Sequence, residues 1–128
     1  MKEITKEWLT KAEKDFRVAE REFKLTPPEY EAVCFHSQQC VEKYLKAILQ
    51  ENDIYFEKIH DLRVLSEKCI QFIPELSKYL DELDNLSSFA VEIRYPGTEA
   101  DREDAMECLN IAREIRKISR EYFELSEE

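Results

Sequence analysis

EIRYPGTEA, residues 92–100, holds the only glycine in a chain of 128 residues. Pro96 pushes Tyr95 out of the α region, because its ring clashes with the backbone of the residue before it. Gly97 can take the φ > 0 conformation that a tight reversal needs. Thr98 and Asp101 stand at capping-box spacing, which predicts a helix starting there. Arg94, in the last turn of the helix before, faces the negative end of that helix's dipole. The stretch therefore joins two helices. With no second glycine available, the other breaks must come from the remaining three of four prolines and from polar loop residues, a composition that points to helix throughout.

Outward from this junction the apolar residues recur at helical spacing. Trp8, Ala12, Phe16, Ala19 and Phe23 form one stripe of a first helix at about residues 5–25. Thr26-Pro27-Pro28-Glu29 ends it and, read as a capping box with proline in the first turn, opens a second helix at residues 27–51. That helix carries Tyr30, Val33, Cys34, Val41, Tyr44, Leu45 and Ile48, and Asn52-Asp53 closes it. A loop at residues 54–59 leads to a short third helix with Leu62, Leu65, Cys69 and Phe72. Pro74 starts a fourth, with Leu76, Leu80, Leu83, Leu86, Ala90 and Ile93. The fifth carries Ala105, Cys108, Ile111, Ala112, Ile115 and Tyr122. No segment alternates with period two. The expected fold is all-α, an up-and-down antiparallel bundle of four to five helices in a single domain spanning residues 1–128.

Charge narrows the function. The formal net charge is −10, with a sequence pI near 4.8, so a broad surface for duplex DNA is not expected. A local pocket for a nucleotide is compatible with it. The start, MKEITKEW, has no apolar signal stretch, and the longest uncharged run is far too short to span a membrane. The four cysteines show no CxxC spacing. Together these features predict a cytoplasmic protein whose cysteines are small core residues.

Several side chains could carry chemistry. On the second helix His36, Gln39 and Lys43 share one face, while Gln38, Glu42 and Lys46 share the next. This polar run reads either as a satisfied network between helices or as a ligand-facing strip. His60-Asp61-Leu62 offers either a helix cap or a histidine oriented by a carboxylate. His36 and Cys40, four apart, are half a metal site that no other residues complete by spacing, so no metal is expected. Arg113, Arg116, Lys117 and Arg120 make a basic stripe that would meet an acidic partner or simply complement a helix C-terminus. The start of the fifth helix is acidic (Glu99, Asp101, Glu103, Asp104) and would repel a phosphate. The loop Ile54-Tyr55-Phe56 is apolar, and packs on the core or marks a partner surface.

FHSQQCVEKYLKA in the second helix, HDL before the third and RYP after the fourth, in that order, resemble the HEPN domain (higher eukaryotes and prokaryotes nucleotide-binding). The resemblance spans about residues 3–123. It implies a helical bundle, commonly homodimeric, often encoded beside a minimal nucleotidyltransferase with which it forms a toxin–antitoxin-like pair. It also implies nucleotide or single-stranded RNA binding without a cofactor, in a groove lined by His36, Gln39, Glu42, Lys46, His60, Asp61, Arg94, Tyr95 and Pro96. Many members are metal-independent ribonucleases whose motif is arginine, four to six residues, then histidine. Arg94 matches the arginine, but the permitted histidine positions hold Glu99, Ala100 and Asp101. The favoured expectation is therefore a binding module. The alternatives are a divergent ribonuclease using Arg94 with His60 or His36, and a structural interaction domain.

Overall fold

The computed structural model describes residues 1–126. It is an all-α bundle of α1 (Glu3–Lys24), α2 (Tyr30–Glu51), α3 (Leu62–Cys69), α4 (Leu80–Glu92) and α5 (Arg102–Tyr122), with a 3-10 turn (Pro74–Tyr79) leading into α4. No strand occurs among the described residues. α2 is the central element and packs against each of the other four helices. Its Val33, Val41, Tyr44, Leu45, Ile48 and Leu49 are fully buried, and each such side chain contributes on the order of 1.5–3 kcal/mol relative to exposure. The α1 stripe meets them through Leu9, Ala12, Phe16 and Ala19, and α5 through Leu109, Ala112 and Ile115. The four cysteines are free and buried, as expected of core residues. No described helix is long and apolar enough to cross a membrane.

The helix ends differ from expectation in three places. α2 starts at Tyr30 rather than at residue 27, and no side chain caps it. Each of the two prolines restricts the residue before it, so Thr26 and Pro27 stay out of helix and the Thr26 capping box cannot form. Glu22 instead receives the Glu29 N–H at 3.0 Å. At α5 the box is shifted by three residues. Asp101 Oδ1 accepts the Asp104 N–H at 2.8 Å, and Asp104 Oδ2 accepts the Asp101 N–H at 3.0 Å. Asp101, expected to close the box, is itself the cap. Pro74 opens the 3-10 turn, and α4 proper begins at Leu80. Gly97 has φ of 97°, as the reversal requires.

Candidate functional site

α2 is covered on so many sides that its polar strip is drawn into the interior. Ser37, Gln38, Glu42 and Lys46 are all buried. A buried carboxylate must be paired and hydrogen-bonded to be tolerated, and Glu42 is. Lys46 Nζ donates to its Oε2 at 2.9 Å, one helical turn away. Gln38 Nε2 donates to its Oε1 at 3.2 Å. His60 Nδ1 lies 3.0 Å from Oε2. Gln39 extends the chain through Nε2 to Gln38 Oε1 at 2.8 Å. Lys46 is further held between aromatic rings, its ammonium 5.6 Å from the Trp8 centroid and 5.8 Å from that of Phe56.

The loop before α3 delivers His60 to this carboxylate. Asp61 is the α3 cap, with its Oδ1 accepting the N–H groups of Arg63 at 2.9 Å and Val64 at 3.2 Å. Between the two candidate caps, Asp61 takes the role and leaves the His60 ring free. The His60 carbonyl accepts from Gln38 at 3.3 Å and Ser87 at 3.5 Å, which ties the loop to α2 and α4. The Glu42 contact engages Nδ1, so among the described residues Nε2 is the ring nitrogen left without a protein partner, on a side chain that is 71% exposed.

Arg94 and Tyr95 follow the α4 C-cap, Ile93, and their N–H groups close onto Val91 and Glu92. The Arg94 guanidinium stacks 5.0 Å from the Phe35 ring centroid. Among the described residues no carboxylate or acceptor holds it. Arg94, His60, Gln38, Gln39, Glu42 and Asp61 line one cleft of about 640 Å³, closed on its other side by Asp84, Ser87, Ser88 and Glu92 of α4. The cleft thus offers one free cation, one accessible imidazole nitrogen, and amide and hydroxyl groups.

Not every residue of the expected groove enters the cleft. His36 turns to α1, where its Nδ1 lies 2.8 Å from Asp15 Oδ1 and Lys43 holds Oδ2 at 2.5 Å. Cys40, its partner in the half metal site, points into the core, and burial pushes its thiol well up. Among the described residues no group of three or more His, Cys, Asp or Glu side chains could hold a metal ion. Lys46 stands behind Glu42 in an adjoining pocket. Tyr95 projects into solvent, 65% exposed. The basic stripe of α5 is largely paired to α1. Arg116 makes two 2.8 Å bonds to Glu13, Arg120 approaches it at 3.7 Å, and Arg113 reaches Glu20 at 3.3 Å. Of the apolar loop, Ile54 and Phe56 pack on the core while Tyr55 is exposed. Sequence reasoning missed Ser87 and Phe35. Ser87 lies beside an unbroken stripe of Leu83, Leu86, Ala90 and Ile93, so the spacing carried no signal for it.

A profile of the HEPN domain matches residues 5–122. The chain belongs to the HEPN family. Among curated proteins, the HEPN chain is 28% identical over 138 residues to one from Methanocaldococcus jannaschii named "Putative toxin MJ1304". The match covers 90% of this chain and 85% of that protein. No solved structure matches the chain. In the order of the family's motifs, α2, the loop carrying His60 and the turn carrying Arg94 supply three successive walls of one cleft.

Proposed function

We propose that this HEPN protein binds a nucleotide or the phosphodiester of a single-stranded RNA in the Arg94 cleft, as the toxin-like half of a toxin–antitoxin-like pair. The observation that carries the reading is the unpaired Arg94 guanidinium. Four of the chain's arginines, Arg63, Arg113, Arg116 and Arg120, meet acids, whereas Arg94 stands over Phe35 and is the one arginine that lines this cleft. A phosphate there would receive charge-assisted, bidentate hydrogen bonds. Gln39 would read a base edge, and Tyr95, exposed next to Arg94, would stack on a base. Asp84 and Glu92 on the rim, with the overall charge of −10, favour a ligand that meets the site through one phosphate over a long polyanion. The name of the M. jannaschii relative supports the toxin-like role. Family habit adds a homodimer and a minimal nucleotidyltransferase as partners, in the cytoplasm.

One observation favours cleavage as a second reading. Glu42 orients His60 in the manner of a carboxylate–histidine pair, in the cleft that Arg94 also lines. His60 would take the proton of a 2′-hydroxyl as that oxygen bonds to phosphorus and the 5′-oxygen leaves, taking up a proton. Arg94 would balance the charge that develops on the phosphoryl oxygens. The test is binding and cleavage of single-stranded RNA by the purified protein, with Arg94→Ala and His60→Ala. Binding lost in Arg94→Ala supports the first reading. Cleavage lost in both variants supports the second. Binding that survives Arg94→Ala rejects the cleft as the site.

A further inference from the structure

Behind the cleft wall lies a second pocket, of about 560 Å³, lined by Trp8, Lys46, Tyr55, Phe56 and Lys58 with Glu57. The two cavities share one partition. Glu42 faces the cleft and Lys46 faces the pocket, and their 2.9 Å ion pair joins them. We infer that this pocket is a stacking subsite for the neighbouring base of the same single-stranded RNA that meets Arg94, an inference that rests on the function proposed above.

The chemistry of the lining supports a nucleobase. Three aromatic side chains stand together, with Trp8 and Phe56 edge to face at 6.1 Å between centroids. Tyr55 is 76% exposed, the most exposed of the chain's large hydrophobic residues, on a loop whose Ile54 and Phe56 anchor it to the core. A rigidly anchored, outward aromatic ring is an available stacking face that costs little ordering on binding. Two lysines supply positive charge beside the rings. Lys46 is fixed by Glu42, and among the described residues Lys58 makes no ion pair. Aromatic rings and lysines on one side of the partition, with the unpaired Arg94 on the other, are arranged to take single-stranded nucleic acid locally, by stacking and a few phosphates.

Trp8 is the chain's only tryptophan, so its fluorescence reports on this pocket directly. The experiment titrates the full chain with adenosine 5′-monophosphate and with hexa-adenylate RNA, following both Trp8 emission and ligand affinity, for wild type, Tyr55→Ala and Arg94→Ala. Tyr55 is exposed enough that its truncation leaves the fold intact. The expected result is that hexa-adenylate changes Trp8 emission. Tyr55→Ala should weaken hexa-adenylate by about tenfold, the worth of one base–aromatic stack, and leave the mononucleotide affinity unchanged. Arg94→Ala should weaken both ligands. Wild-type hexa-adenylate affinity in Tyr55→Ala, or Trp8 emission indifferent to bound hexa-adenylate, overturns the subsite while leaving the Arg94 cleft standing, and would assign the exposed ring to a protein contact. Failure of wild-type protein to bind either probe overturns both readings.

Discussion

Replacing Lys46 by methionine tests whether one buried ion pair holds the cleft wall in place. Glu42 is 4% exposed and Lys46 5% exposed. Methionine keeps the length of the lysine stem and its contact with Trp8 and Phe56, so the substitution deletes the charge and little else. Breaking a buried pair from one side costs about 3–5 kcal/mol, because the remaining charge has lost its partner. Glu42 would keep the Gln38 amide and the His60 ring, which puts the loss near the low end, at about 3 kcal/mol. Scaling a typical unfolding entropy by chain length, that loss lowers Tm by about 11 °C. Glu42→Gln retains an acceptor for Lys46 and should cost about 2 kcal/mol. The double variant buries neither charge and should cost no more than the weaker single change, giving a coupling of at least about 3 kcal/mol. Urea denaturation at neutral pH, followed by Trp8 fluorescence, measures all four corners of this cycle. A Lys46→Met loss below about 1 kcal/mol, or losses that simply add, would refute the claim that the pair is desolvated and mutually dependent.

Three further outcomes follow from the structure. Burial pushes the Glu13 carboxyl up, but hydrogen bonds from Arg116 and Tyr44 and the charges of Arg116 and Arg120 outweigh it and leave it below its ordinary value of 4.5. Its contribution to stability is therefore present above pH 4.5 and lost as the pH falls through the lower folded value, so Glu13→Gln should flatten that part of the acid-denaturation curve, and parallel curves would contradict this. Asp61→Ala removes the α3 cap and should cost about 1 kcal/mol in denaturant unfolding, with Asp61→Asn largely restoring it; equal losses in both variants would show that capping is not the source. Gly97→Ala meets no atom within 4 Å of its Cβ, so its cost should be the conformational strain at φ of 97° alone, about 1 kcal/mol in thermal unfolding, and a neutral result would mean the turn relaxes freely.

The helices were readable because their apolar stripes are regular and the one glycine sits where the chain reverses. The helix starts were less so. Which residue caps α5 depended on whether Thr98 or Asp101 lay at the junction, and both have a side-chain oxygen with an acid three residues on. At α2 the proline that suits a first turn was followed by another that forbids it. Local rules of equal strength conflicted there, and only the packed structure decides between them.

The site residues divide for a related reason. A helical repeat tells which residues of α2 share a face, but not which neighbouring helix covers that face. His36 and Gln39 share one by spacing, yet α1 covers His36 while Gln39 opens into the cleft. The missing information was written on the neighbour. Asp15 lies inside the apolar stripe of α1, between Ala12 and Ala19, and is buried there. An acid at a core register is costly unless a cation or histidine on the facing helix meets it, which His36 and Lys43 do. Ser87, half-buried beside the α4 stripe, also joins helices, and there the facing groups are the α3 N-terminus and the His60 carbonyl. Arg94 is the converse case, a cation that bonds none of the acids lining its own cleft. Paired polar intrusions mark where helices lock together, and an unpaired cation inside a cleft beside them marks a surface open to something outside the chain.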